Sequence, residues 1–163
     1  MNNEEALRFL AENQPLPPDA LLGERIKVFD EIRKFFKENY DPRCIPLLTN
    51  AFGQGDGFGV YQLVEDTITC YPSDLVLPEL KRALHSPHRG IRYWNAQIAA
   101  LFPDTELVEH LAPLLKEDDD MRYATVTALS RIQTASAIAI LRAHLTNEAD
   151  DEIRELIVVA LQD

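Results

Sequence analysis

Apolar residues recur at one phase through four stretches of this chain, and that register constrains the fold more than any other feature of the sequence. At an offset of 31, Gly59-Val60-Tyr61-Gln62-Leu63-Val64 falls on Gly90-Ile91-Arg92-Tyr93-Trp94-Asn95, Leu80 on Leu111 and Leu84 on Leu115. At an offset of 30, Ile91-Arg92-Tyr93 falls on Met121-Arg122-Tyr123, and at 32 Met121-Arg122 falls on Ile153-Arg154. Within each stretch the spacing is helical. Leu77, Leu80, Ala83 and Leu84 share one face, as do Leu107, Leu111, Leu114 and Leu115. The partner helices read Ile91, Asn95, Ile98, Phe102 and Met121, Ala124, Ala128, Ile132. A helical hairpin cannot cover its own apolar stripe, so each one must stack on its neighbours. No alternating run long enough for a strand remains. The expectation is an all-α solenoid of about four hairpins, at residues 41–71, 72–102, 103–132 and 133–163, within one domain over 1–163.

Turn chemistry separates the helices. Pro72-Ser73-Asp74 and Pro103-Asp104 supply turns and N-caps between hairpins, and carboxylates at Asp118–Asp120 and Asp150-Asp151 suit the positive ends of the second helices. Upstream, Glu4–Glu12 is a short amphipathic helix, and Pro15, Pro17 and Pro18 form a stiff connector. A longer helix follows, roughly Gly23 to Asn39, with Ile26, Phe29, Ile32 and Phe36 as its stripe. It is expected to cap the open end of the stack.

Charge and composition exclude several functions. Sixteen lysines and arginines stand against 27 aspartates and glutamates, a net charge of −11, which opposes phosphate-driven nucleic-acid binding. Residues 104–133 and 134–163 each carry −4 (3 − 7 and 2 − 6), so the acidity gathers in the second half and would steer a basic partner. No apolar run approaches the ~20 residues that span a bilayer, and the first residues lack a signal-peptide pattern. Two cysteines, Cys44 and Cys70, form no disulfide framework and read as buried structural thiols of a cytoplasmic protein.

The helical pairs of about thirty residues, with Asp118-Asp119-Asp120-Met121-Arg122 and Asp150-Asp151-Glu152-Ile153-Arg154 opening their second helices, resemble HEAT repeats, the short bacterial, bilin-lyase-like type above all. The resemblance covers roughly residues 41–163. It implies a right-handed superhelix and a ladder in which turn aspartates pair with arginines between neighbouring units, here Asp118, Arg122, Asp150 and Arg154. The second unit has His88-Arg89 where acids are expected, and the first has Tyr61 in place of arginine. The second helices of HEAT stacks line the concave surface, so the resemblance places Gln62, Asp66, Tyr93, Gln97, Tyr123 and Thr127 on one groove wall. Tyrosines beside carboxylates and amides suit partner recognition.

Other constellations carry less. Gly53–Gly59 holds four of the six glycines but lacks the lysine and hydroxyl of a phosphate loop, so it reads as a flexible inter-helix loop. His85 and His88 are three apart across Ser86-Pro87 with no completing ligand, and no metal or cofactor is expected. No nucleophile–base pair is visible. The reading is therefore a non-catalytic module (an adaptor, a regulator or a toxin-neutralising immunity protein). It binds a basic protein surface through the groove and the acidic turns Asp118, Asp119, Asp120, Asp150 and Asp151. The alternative is a HEAT-type enzyme, a bilin lyase with Trp94 and the tyrosines stacking the pigment, or less readily a DNA glycosylase. Ile157–Leu161 make the last helix apolar enough to suggest that a partner or a second copy of the chain covers it.

Overall fold

The computed structural model describes residues 1–162, and among them it contains helices and turns but no strand. The chain is all-α, with its hairpins in series, and it divides into two compact units, Met1–Trp94 and Asn95 onward.

In the first unit, α1 (Asn3–Glu12) opens on a capping box: the Asn2 side chain accepts from the Glu5 N–H at 2.9 Å, and the Glu5 carboxylate accepts from the Asn2 N–H at 3.0 Å. The proline connector leads through α2 (Asp19–Leu22) into α3 (Arg25–Glu38), which buries the stripe Ile26, Phe29, Ile32 and Phe36. Helices α4 (Cys44–Thr49) and α5 (Val64–Ile68) are short. The helix that the register places after Gly59 shrinks to a 3-10 turn, Tyr61–Leu63, and five α-helical residues. Gly57, Phe58 and Gly59 all have positive φ, which no right-handed helix accepts, so helix formation starts only past them. Tyr61 is wholly buried and is the hub of this core, edge-on to Phe29 at 6.1 Å, Phe52 at 5.5 Å and Trp94 at 5.9 Å. Helix α6 (Ser73–Ala83) has no side-chain cap, contrary to the expectation for Ser73, and α7 (Arg89–Ala99) spans the division between the units.

In the second unit, the helix expected over Leu107–Leu115 is broken into a 3-10 turn (Thr105–Leu107), α8 (Val108–Leu111) and a second 3-10 segment (Ala112–Lys116). Pro113 has no N–H to continue the α-helical pattern, which explains the break. Then come α9 (Asp119–Ile132), α10 (Ala135–Leu145) and α11 (Asp151–Ala160), with α9 packed on both of the others. Met121, Ala124, Ala128, Leu129, Leu141, Ile153 and Ile157 are buried in this core. Val158 and Val159 on α11 are exposed. Helix α9 ends on Gln133 in the left-handed region, φ 52°, where a Cβ is unfavourable and glycine is preferred. Gln133→Gly is expected to raise stability by about 0.5–1 kcal/mol, seen as a higher urea midpoint at unchanged slope. An unchanged or lower midpoint would show that the glutamine side chain contributes more than its strain costs.

Candidate protein-binding site

The acidic turns owe their form to helix capping. Asp118 accepts from the Met121 N–H at 3.2 Å and Asp150 from the Ile153 N–H at 3.0 Å, so each aspartate starts a helix and leaves two further acids in its first turn. These two helix starts face one cleft of about 280 Å³ lined by Asp119, Asp120, Tyr123, Asp150, Glu152 and Ile153. Four carboxylates thus surround an apolar floor at Ile153 and an exposed tyrosine at Tyr123. Asp118 and Asp151 belong to the same turns but do not line the cleft.

The six residues expected on the groove wall belong to several helices. Tyr123 reaches the acidic cleft, and Thr127 sits one turn further along α9, half-buried, its hydroxyl donating to the Tyr123 carbonyl at 2.9 Å. Tyr93 and Gln97 are half-buried on α7, with the Arg89 guanidinium 5.4 Å from the centre of the Tyr93 ring. Gln62 and Asp66 are exposed in the first unit, and Asp66 lies 3.8 Å from the Lys37 ammonium.

The partners of Arg122 and Arg154 differ from those that the family resemblance implied. Arg122 is bidentate on Glu148, Nε to Oε2 at 2.9 Å and Nη2 to Oε1 at 3.0 Å, and its Nη2 also reaches Asp119 at 2.8 Å. Asp150, the expected partner across the turn, is occupied as a cap and donates its own N–H to Glu148 at 2.9 Å. Arg154 spends its guanidinium on backbone carbonyls, those of Leu145 at 3.0 Å and Glu148 at 2.9 Å. Glu148 itself is buried and also meets the His144 ring nitrogen at 2.7 Å. Burial raises the Glu148 carboxyl, but the hydrogen bonds from Arg122, the Asp150 N–H and His144 outweigh it and hold the group at about 2. Sequence reasoning missed this residue. Its one local signal is the helical i,i+4 spacing to His144.

The glycine loop also departs from expectation. It is tied at four backbone groups: the Gly53 N–H donates to the Tyr61 hydroxyl, and the Trp94 indole donates to the Gly55 carbonyl, each at 3.2 Å. The Asp56 and Gly57 N–H groups both donate to the Asp19 carboxylate, again at 3.2 Å, so an internal side chain takes the amides that an anion would use. Trp94 is buried and bound in this way, as a packed aromatic residue of the first unit. Cys44 is buried, as expected, and burial pushes its thiol up to about 11, whereas Cys70 is exposed, which corrects the expectation for that residue. Among the described residues no group of three histidines, cysteines or carboxylates is placed to hold a metal, and no helix is long and apolar enough to cross a membrane.

Compared with protein families, residues 77–162 match HEAT repeats, more than half of the chain. The chain is a HEAT-repeat protein. No curated protein matches it. HEAT repeats are helical scaffolds that commonly mediate protein interactions, and the matched region of this HEAT-repeat protein contains both acidic helix starts and all of α9–α11.

Proposed function

We propose that this HEAT-repeat protein is a non-catalytic binding module that holds a basic surface of another protein against the acidic cleft between the starts of α9 and α11. The observation that carries the reading is the composition of that cleft, four carboxylates around Ile153 and an exposed Tyr123. A lysine or arginine entering it meets charge on several sides, and the tyrosine offers apolar contact at low conformational cost. The surrounding −4 on each of residues 104–133 and 134–163 would speed encounter with a basic partner. Such a module suits an adaptor, a regulator or an inhibitor that masks a basic protein.

The test is a tagged pull-down from host lysate at low and high salt, read by mass spectrometry, with Asp119→Asn/Asp120→Asn/Glu152→Gln alongside. Asp118 and Asp150 stay in place because they cap their helices. The expected result is a stoichiometric basic protein captured by the unmodified chain at low salt and lost both at high salt and with the triple variant. Equal capture by the triple variant would refute the assignment of the cleft.

A further inference from the structure

Helices α9 and α11 meet twice at the surface of the second unit. Their starts share the acidic cleft, and their ends share a smaller notch of about 190 Å³ lined by Ser130, Arg131 and Gln133 on one side and Leu156, Val159 and Ala160 on the other. Two helices that adjoin start to start and end to end run in the same direction, so cleft and notch are the two ends of one groove. The helical period agrees. Asp120, Tyr123, Thr127 and Arg131 fall on one stripe of α9, and Glu152, Leu156 and Val159 on one stripe of α11.

The two ends differ in charge. Asp119, Asp120 and Glu152 are exposed at the cleft, where Asp119 also pairs with Arg122 at 2.8 Å. At the notch the ionisable lining residue is Arg131, which is exposed; Glu155, beside Leu156 in sequence, does not line it. The eleven residues from Asp120 to Arg131 span about 16 Å at 1.5 Å per residue, two screening lengths of about 8 Å at physiological salt, so each end presents its own sign. Between them the wall makes little polar demand. The Thr127 hydroxyl donates to the Tyr123 carbonyl at 2.9 Å and the Ser130 hydroxyl to that of Val126 at 2.7 Å. Leu156 and Ala160 are half-buried and Val159 is exposed, which leaves apolar surface at the notch.

A helix favours acids in its first turn and bases in its last, because of the partial charges at its ends. Laid antiparallel to α9 and α11, such a helix sets its basic last turn over the acidic starts and its acidic first turn at Arg131. We infer that the groove receives an antiparallel amphipathic helix of the partner protein. A lysine or arginine of its last turn enters the cleft beside Tyr123, an aliphatic stripe lies on Leu156 and Val159, and a carboxylate of its first turn meets Arg131. The inference rests on the cleft as the protein-binding site and names the segment that the site takes.

The probe is an acetylated, amidated alanine–leucine peptide of about fifteen residues, long enough to form helix and to cover both ends, with glutamates in its first turn and arginines in its last. A second peptide has arginines in both turns. Attraction by net charge alone makes the more basic peptide bind tighter to a chain of −11. The groove makes it bind about fivefold weaker by isothermal titration, the upper end for one exposed ion pair. Arg131→Glu should invert that order, and Val159→Lys should weaken the first peptide; both changes are at exposed positions. A spin label on the arginine end of the first peptide should broaden the amide signals at the start of α9 and spare those at its end. Binding unchanged by Asp119→Asn/Asp120→Asn/Glu152→Gln would refute the cleft and the groove together. Loss of binding with that variant, but a peptide order untouched by Arg131→Glu, would refute the groove alone. Tighter binding of the all-arginine peptide to the unmodified chain, no saturable binding of the first peptide, or broadening at the end of α9 would also overturn the inference.

Discussion

Glu148→Ala is expected to destabilise the second unit by about 3 kcal/mol, at the low end for a broken buried ion pair. The Glu148 side chain is 1% exposed and accepts from Arg122 twice, from the Asp150 N–H and from His144, which links α9, α10 and the start of α11 through one carboxylate. Without it, the guanidinium of Arg122, 17% exposed, keeps only the solvent-facing Asp119 and the Glu117 carbonyl. That residual pairing is why the loss falls at the low end. The pH dependence follows from the same bonds. The Glu148 carboxyl is held at about 2, below an unfolded value near 4.3, so its contribution is complete above that value and disappears as pH falls toward 2. Asp41 behaves alike: the hydrogen bond from Arg43 is the main cause that holds it at about 2. Glu148→Gln should therefore flatten the acid limb of stability between about pH 4 and 2 without abolishing it. Urea denaturation at several pH values measures both effects. A loss under 1 kcal/mol at pH 7 for Glu148→Ala would mean that Arg122 finds an equal partner elsewhere and that the link is not structural.

Gly90→Val is expected to cost at least about 3 kcal/mol, the upper end for forcing atoms into a packed core. A Cβ at position 90 would stand on the Gly53 carbonyl oxygen and lie 2.9 Å from the Gly53 carbonyl carbon, and both are backbone atoms with no rotamer to turn aside. Gly53 has no room to retreat either, because a Cβ there would already crowd the Leu16 carbonyl and lie 2.9 Å from that of Pro17. Gly59 is the matched control. Its φ is 84° but nothing lies within 4 Å of an added Cβ, so Gly59→Ala should cost only about 1 kcal/mol of backbone strain. Thermal or urea unfolding of the two variants separates them. A cost for Gly90→Val no greater than that for Gly59→Ala would show that the connector and α7 move apart freely.

What the sequence made legible was what periodicity controls. Met121, Ala124, Ala128, Ile153 and Ile157 fall on one helical phase, and all are buried. The starts of α9 and α11 were readable because an aspartate cap acts within three residues of itself. Long-range partners were not. Asp19 and the glycine loop lie 37 and 38 residues apart in sequence, and nothing local to either indicates that a carboxylate fills the loop's amides. Arg122 and Glu148 are 26 apart, and Glu148 was one acid among many until burial distinguished it. Of the candidate site, the acids were legible as turns. That Tyr123 and Ile153 join them around one cleft required the packing of α9 on α11.

The closure of the glycine loop bears on how this protein can be handled at the bench. Judged by composition, Gly53–Gly59 is where one would splice a tag, place a new terminus or expect a protease to cut. Three of its amides and one carbonyl are taken by Asp19, Tyr61 and Trp94, and its first glycine is wedged under the connector. A graft at this point would loosen the aromatic core around Tyr61.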